Sequence, residues 1–174
     1  MLLLRRRLWL DVRLIVDRLR ICIRRVGEHL DGGSGSEMSA DNLPGSNGAE
    51  KKLAVPVVSV VIPVYNEEAN LELLYERLQR VLEDVGRPYE VIFVDDGSQD
   101  RSLEILCRLQ ENHGAVRVIQ LNRNYGQHAA VFAGLDHAWG EIIVTLDADL
   151  QNPPEEIPRL LDKISEGHDV VGGW

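Results

Sequence analysis

From residue 57 onward, the sequence alternates short, nearly continuous apolar runs with longer amphipathic segments. This alternation is typical of βαβ units, in which helices connect parallel strands. Strands that are apolar at almost every position are expected where helices cover both faces of a sheet. Five strands are predicted, at residues 57–64, 90–94, 116–121, 141–146 and 169–172. The expected fold class is therefore α/β, with a doubly wound, mostly parallel sheet and helices on both faces.

Four helices are predicted between these strands from apolar residues spaced three or four positions apart. Asn66, Ser98 and Asn152 are candidate N-caps of the first, second and fourth helices, and Gly86 is a candidate end of the first. The third helix is predicted over residues 127–139. The apolar positions of the first and fourth helices are Leu71, Leu74, Leu78, Val81, Leu82 and Val85, and Ile157, Leu160, Leu161 and Ile164.

Polar residues follow four of the predicted strands at the point where each strand ends. They lie at residues 63–67, 95–98, 122–128 and 147–149. Ligands of open α/β sheets bind beyond the carboxyl ends of the strands. Since all four runs fall at that edge, the sequence predicts one ligand site there.

Asp147 and Asp149 are the most informative pair at this edge. In an extended backbone, residues two apart point to the same side, so both carboxylates can face one point. Two carboxylates at close range repel each other unless a cation lies between them. Their hard oxygen atoms favour Mg²⁺ or Mn²⁺ together with substrate phosphates. The alternative is a polar strand end with two solvated acids.

The other strand ends offer groups suited to a nucleoside. The ring of Tyr65 can stack on a base, and Asp96 can accept hydrogen bonds from ribose hydroxyls or a base N–H. Asp95 and Ser98 have a structural alternative, because either can cap the helix that follows. Arg123 is either a phosphate partner or a solvated residue at a strand end. His128 near a helix start is more typical of a local hydrogen-bonding group than of a catalyst.

A dinucleotide-binding Rossmann domain is disfavoured by the turn after the first strand. That motif needs glycines at this turn so that the backbone can approach a pyrophosphate. Here residues 64–68 contain no glycine and carry Glu67 and Glu68, which would repel a bare pyrophosphate. No P-loop run is present in the sequence either. A nucleotide would therefore lie across the strand ends, with its base near Tyr65 and its diphosphate near the Asp147 and Asp149 pair.

Four ordered motifs carry a family resemblance. They are VSVVIPVYNEE at 58–68, VDDGS at 94–98, LNRNYGQH at 121–128 and DADLQNPPE at 147–155. Over about residues 57–174, the chain resembles the family 2 glycosyltransferases with the GT-A fold. Within this family it is similar to the polyprenyl-phosphate glycosyltransferases, a group that includes dolichol-phosphate mannosyltransferase. The run at 121–128 particularly resembles the bacterial undecaprenyl-phosphate 4-deoxy-4-formamido-L-arabinose transferases.

The resemblance implies a reaction and a role for each matching residue. The reaction is inverting, metal-dependent transfer of a sugar from a nucleotide-diphosphate sugar to the phosphate of a membrane polyprenol. Asp149 would be catalytic, and Asp147, Asp149 and Gln151 would surround Mg²⁺ or Mn²⁺. The residues implied in binding the nucleotide sugar are Pro63, Tyr65, Glu67, Val94, Asp95, Asp96 and Ala148, to which Arg123 is added as the phosphate partner.

The resemblance also bears on domain organisation. Family members continue past this point with an arginine soon after the fifth strand and with an acceptor-side segment. Residues 56–174 are therefore expected to form the nucleotide-sugar-binding half of a GT-A domain, which binds donor weakly and turns over poorly or not at all. One alternative is a nucleotide-binding module without turnover. Another is a sugar nucleotidyltransferase, which would usually need a glycine-rich, basic first turn.

The first 55 residues differ in composition from the rest. Residues 1–30 contain eight arginines and have a net charge of +5, whereas residues 31–174 have a net charge of −14. Spacing predicts a basic amphipathic helical arm over residues 1–30, suited to an anionic membrane surface, although an incidental extension is the alternative. Residues 31–55 are expected to be a flexible linker. The apolar positions of the arm are Leu8, Val12, Ile15, Leu19, Cys22 and Val26.

Composition limits the partners and the location. Charged residues interrupt every apolar run well before the roughly 20 residues that a membrane-spanning helix needs. The acidity of the predicted domain argues against nucleic-acid binding. The two cysteines, Cys22 and Cys107, are far apart in sequence and indicate reduced thiols. The expected location is cytoplasmic, peripheral to the cytoplasmic face of the membrane.

Overall fold

The computed structural model describes residues 1–5, 23–25 and 56–173, and these form one seven-stranded sheet with helices. The spatial order of the strands is β2-β5-β4-β3-β6-β1-β7. In chain order, the strands are β1 (Leu2–Arg5), β2 (Ile23–Arg25), β3 (Val58–Val64), β4 (Tyr89–Asp95), β5 (Val116–Leu121), β6 (Ile142–Thr145) and β7 (Val170–Gly172).

The four central strands are parallel, as the βαβ pattern predicts. β3 pairs with β4 on one side and with β6 on the other, and β4 pairs with β5. The chain therefore moves outward from β3 to β5 and then returns to the opposite side of β3. The carboxyl ends of β3 and β6 lie beside each other at this reversal, which is where α/β sheets of this type bind ligands.

Within the described residues, four α-helices cover the sheet. They are α1 (Leu71–Val85), α2 (Ser102–Asn112), α3 (Gln127–His137) and α4 (Ile157–Ser165), with a 3₁₀ turn at Pro154–Glu156 before α4. α1, α2 and α4 contribute to one apolar core, and α3 to a second. Residues of β3 and β4 alternate between these two cores, as expected for strands buried on both faces. The predicted fold class is confirmed.

The small residues of α3 allow it to lie close to the sheet. Ala130, Ala133 and Gly134 are buried along this helix. A Cβ added at Gly134 would lie 2.3 Å from Cγ1 of Val61 on β3, so no larger residue fits without a shift. This close packing fixes the distance between α3 and the sheet, and therefore the position of the first residue of α3.

A buried polar network fixes the start of β6 at the opposite end of the sheet. One carboxylate oxygen of Glu90 accepts hydrogen bonds from the Ser59 hydroxyl at 2.6 Å and from the Trp139 backbone N–H at 2.7 Å. Its other oxygen accepts from the Arg117 guanidinium at 2.5 Å. The Ser59 hydroxyl also accepts from the backbone N–H of Gly140. β3, β4, β5 and the segment entering β6 are thus held together by hydrogen bonds in a region of low solvent access.

The three predicted N-caps are wrong, while Gly86 is confirmed at the end of α1 with a left-handed φ of 67°. Asn66 has a left-handed φ of 57° and lies before α1, and its side-chain oxygen accepts from the backbone N–H of Gln99. The Ser98 hydroxyl accepts from the Asn66 backbone N–H and does not cap α2. Asn152 precedes the 3₁₀ turn, whose first residue is a proline. Asn66 and Ser98 therefore join the loop after β3 to the loop after β4.

The amino-terminal arm also departs from its prediction where the structure describes it. Residues 2–5 form a strand between β6 and β7, and residues 23–25 form a strand beside β5, all antiparallel to their neighbours. The physical reason at the first site is the apolar run at residues 2–4, because Leu3 is completely buried in the core. The rest of the predicted arm and the linker lie outside the described residues. In the described ranges, we find no helix of the length and apolar character needed to cross a membrane.

Candidate functional site

A cavity of about 330 Å³ lies at the carboxyl edge of the parallel strands. The ends of β3 and β6, the loop after β4 and the loop that leads into α3 surround it, so it occupies the position predicted for a ligand. Its lining residues are Pro63, Val64, Tyr65, Glu67, Asp96, Asn124, Gly126, Gln127, Asp147, Ala148 and Asp149.

The two aspartates after β6 are held by different partners. Oδ1 of Asp147 accepts a hydrogen bond of 2.6 Å from the Gln127 side-chain amide. Oδ1 of Asp149 accepts from the Gln151 backbone N–H at 3.0 Å. Leu150 between them has a φ of 62°, in a left-handed conformation that costs a non-glycine residue about 1 kcal/mol or more. This reversal after Asp149 brings the Gln151 N–H back to the carboxylate.

The charge of the cavity favours a cation. Glu67, Asp96, Asp147 and Asp149 contribute four carboxylates, and the described lining contains no lysine or arginine. A nucleotide diphosphate would be repelled here unless a cation accompanied it. In the part of the chain that the structure describes, no group of three or more His, Cys, Asp or Glu residues could hold a metal ion alone. Two carboxylates with phosphate oxygens and water form the ligand set typical of Mg²⁺, so these residues fit a divalent ion that binds with its substrate.

Hydrogen bonds join the loop after β3 to the loop after β4 and to the start of α2. The backbone N–H of Glu67 donates to the Ser102 hydroxyl at 2.9 Å, and that of Glu68 donates to an Asp100 carboxylate oxygen at 3.1 Å. Burial would raise the pKa of Asp100, but hydrogen bonds from Ser102 and from the Glu68 backbone outweigh it and hold this pKa below its ordinary value. Together with the Asn66 and Ser98 contacts, these bonds fix the backbone that carries Tyr65 and Glu67.

Asp96 and its neighbour Asp95 have different hydrogen-bond partners. The Asp96 carboxylate accepts one hydrogen bond of 2.8 Å from each of the Tyr125 and Gly126 backbone N–H groups, so it holds the loop before α3. Asp95 is fully buried, and its Oδ1 accepts from the Ser98 backbone N–H at 3.3 Å. Its Oδ2 has no hydrogen-bond partner, and burial raises its pKa above the ordinary value despite the Ser98 hydrogen bonds.

The structure brings seven of the predicted site residues to one cavity. These are Pro63, Tyr65, Glu67, Asp96, Asp147, Ala148 and Asp149. Val94 and Asp95 are buried in β4 and do not line it, and Gln151 is exposed and does not line it either. Arg123 lies outside the lining, with its guanidinium carbon 4.7 Å from the centre of the Tyr125 ring. The exposed His128 does not line the cavity either.

Four further residues line the cavity but were not predicted as site residues. They are Val64, Asn124, Gly126 and Gln127. Asn124, Gly126 and Gln127 belong to the polar run that follows β5, so a signal was present in the sequence. It does not reveal that α3 crosses the sheet from β5 to β6, which brings Gln127 within hydrogen-bonding distance of Asp147.

Comparison with known proteins identifies the family. A family model described as "Glycosyl transferase family 2" matches residues 59–174. The chain belongs to glycosyl transferase family 2. It is 54% identical over 123 residues to the undecaprenyl-phosphate 4-deoxy-4-formamido-L-arabinose transferase of Pseudomonas paraeruginosa (strain DSM 24068 / PA7), with 70% of this chain and 36% of that protein covered. It is 56% identical over 118 residues to the protein of the same name from Pectobacterium atrosepticum, covering 66% of this chain and 36% of that one. The chain thus spans about a third of the length of these curated relatives.

Solved structures of other proteins support the GT-A fold of this family 2 chain. S. aureus TarS 1-349 in complex with UDP has a TM-score of 0.51 and 28% identity, covering 63% of this chain and 32% of that one. Glucosyl-3-phosphoglycerate synthase from Mycobacterium tuberculosis, in complex with Mn²⁺, UDP and glucosyl-3-phosphoglycerate, has a TM-score of 0.50 and 25% identity, covering 63% of this chain and 39% of that one.

Proposed function

We propose that the cavity binds a nucleotide-diphosphate sugar together with Mg²⁺ or Mn²⁺, and that the sugar is transferred to a polyprenyl phosphate. The observation that carries this proposal is the arrangement of four carboxylates without a lysine or arginine in the described lining, at the strand ends of a family 2 chain. Such a surface selects against a bare diphosphate and for a diphosphate that shares a cation with the protein.

The nucleoside would bind at the β3 side of the cavity. Tyr65 is 43% exposed there, so its ring is available to stack on a base. Pro63 and Glu67 flank it, and Asp96 keeps lone pairs for a ribose hydroxyl beyond its two backbone hydrogen bonds. Val94 and Asp95 are buried in β4 and would support these residues from within the sheet.

The diphosphate would bind at the β6 side. Asp147 and Asp149 would hold the divalent ion, which, when bound, supplies neutralisation of the charge that develops on the leaving diphosphate. Ala148 between them is small, so it leaves room for the diphosphate, and Asp149 is the proposed catalytic residue. Gln151 would contribute through its backbone hydrogen bond to Asp149. Arg123 is outside the cavity lining, and we propose that it meets phosphate only if it leaves the Tyr125 ring.

The transfer itself needs little proton chemistry. The bond between the anomeric carbon and the diphosphate oxygen breaks, and a bond from the acceptor phosphate oxygen forms on the opposite face of the sugar. A phosphate acceptor is already ionised at neutral pH, so a strong general base is not needed. The names of the two curated relatives support undecaprenyl phosphate as the acceptor class. We accordingly propose that the reaction occurs at the cytoplasmic face of the membrane, where the arginines of residues 1–30 would contact anionic lipid.

Calorimetric titration of the purified chain with UDP- and GDP-sugars, with and without Mn²⁺, tests donor binding. We expect Mn²⁺ to strengthen the binding of one donor class. In the variant Asp149→Asn, the factor by which Mn²⁺ increases donor affinity should be at least about tenfold smaller, because the substitution removes a charged ligand while keeping the side-chain shape. Asp162→Asn changes an exposed acid on α4 and is the matched control, in which the gain should be retained.

Two outcomes would contradict the proposal. One is the absence of binding to any donor, and the other is a gain from Mn²⁺ that Asp149→Asn leaves unchanged. Sugar transfer to undecaprenyl phosphate, measured with the same preparation, separates a catalytic chain from a binding module. Metal-dependent donor binding without transfer is the result expected of the donor-binding half and of a nucleotide-binding module alike, whereas transfer would exclude the module.

A further inference from the structure

Gln127 is a cavity residue whose side chain contacts one of the two aspartates. It is the first residue of α3, and its side-chain Nε2 donates a hydrogen bond of 2.6 Å to Oδ1 of Asp147. The two residues are 20 positions apart and belong to different elements. Both line the cavity, so the contact lies where a diphosphate and its cation would bind.

The backbone that presents Gln127 is fixed by Asp96. The buried Asp96 carboxylate holds the N–H groups of Tyr125 and Gly126 at 2.8 Å each. The Gly126 carbonyl in turn accepts the backbone N–H groups of Ala129 and Ala130 at 3.0 and 3.2 Å in the first turn of α3. The backbone of Gln127 is therefore held by hydrogen bonds to the residues just before it and by the first turn of α3.

The chemical character of the contact matters. A carboxylate that accepts a hydrogen bond through Oδ1 loses rotational freedom and presents Oδ2 in one direction, which lowers the cost of binding a cation. A lysine or arginine in this place would orient Asp147 equally well, but its positive charge would repel the ion. An amide donor orients the carboxylate without adding charge.

We propose that Gln127 is a positioning residue that orients Asp147 toward the divalent cation of the donor site. This inference rests on the proposed function, and it deepens it by adding a residue that acts through a metal ligand. Gln127 would also couple the two sides of the cavity. Asp96, on the nucleoside side, holds the backbone of Tyr125 and Gly126, and the next residue, Gln127, contacts Asp147 on the diphosphate side.

The test compares Gln127→Met and Gln127→Ala with the unaltered chain. Methionine keeps most of the glutamine volume without a donor, and alanine keeps the helix favourable. Gln79→Met is the matched control, because Gln79 donates a similar hydrogen bond of 2.8 Å to Glu83 on the surface of α1. Calorimetry measures the affinities for UDP and for GDP with and without Mn²⁺, and the thermal unfolding midpoint is measured for each variant.

We expect both Gln127 variants to bind the nucleotide about tenfold more weakly in the presence of Mn²⁺ than the unaltered chain does. Their nucleotide affinity without Mn²⁺ and their thermal unfolding midpoint should stay close to those of the unaltered chain. Gln79→Met should change none of them. The inference is overturned if the Mn²⁺-dependent gain is retained in either variant, or if affinity falls equally with and without Mn²⁺. If the unaltered chain shows no gain from Mn²⁺ with either nucleotide, the proposed function fails and this inference fails with it.

Discussion

Replacing Asp96 with asparagine should destabilise the fold strongly, although the two side chains have nearly the same shape. Asp96 is 2% exposed, and its carboxylate accepts hydrogen bonds from two backbone N–H groups, those of Tyr125 and Gly126. Asparagine has a single side-chain oxygen, so one N–H would keep a neutral partner and the other would face an NH₂ donor. Two charge-assisted hydrogen bonds contribute about 1.5–3 kcal/mol each, and one neutral bond returns about 1 kcal/mol. The expected loss in free energy of unfolding is about 2–5 kcal/mol.

Urea unfolding followed by circular dichroism at neutral pH measures this loss. Asp84→Asn, an exposed acid on α1, is the control and should change the free energy of unfolding by no more than about 0.5 kcal/mol. An Asp96→Asn chain as stable as that control would refute the argument, because it would mean that the Tyr125 and Gly126 N–H groups find other partners at no cost. The proposed attachment of Gln127 would then lose its basis.

Two further predictions concern β4 and β1. Burial raises the pKa of Asp95, so the native state binds more protons than the unfolded state between the ordinary and the raised pKa, and stability should fall as pH rises through that interval. Asp95→Asn should remove this fall in stability, which is measured as the urea unfolding midpoint from about pH 4 to 7. If the midpoint of the variant falls with pH as steeply as that of the unaltered chain, the prediction is wrong. Deletion of residues 2–5 should expose the edge of β6 and the core around the site of Leu3, costing about 2 kcal/mol or more. Hydrogen exchange at the β6 amides should then accelerate, and protection equal to that of the full chain would show that β1 is not needed.

The parallel part of the fold is predictable because its signals are local. Apolar runs define β3 to β6 to within one or two residues, and helical spacing identifies the buried face of α4 completely. The two added strands are not predictable in the same way. β1 pairs with residues about 140 positions away, and its short leucine run favours a helix as much as a strand until a partner edge exists. The helix caps fail for a related reason, since Asn66 and Ser98 bond to each other's loop across 32 positions.

The site is predictable as far as strand ends determine it. Tyr65, Asp96 and Asp147 reach the cavity because the carboxyl ends of parallel strands meet at one edge. Arg123 does not, because a local contact with the Tyr125 ring competes for its side chain. Gln127 was not predicted as a site residue, because its contact with Asp147 depends on the path of α3 across the sheet. No local sequence pattern encodes that path.

The position of the divalent ion is the central claim, and anomalous diffraction at the manganese edge tests it most directly. Crystals of the chain grown with Mn²⁺ and either UDP or GDP should show an anomalous peak within about 2.5 Å of a carboxylate oxygen of Asp147 or Asp149, beside the nucleotide diphosphate. A bound nucleotide with its diphosphate elsewhere on the protein, or manganese that binds away from both aspartates, would contradict the account.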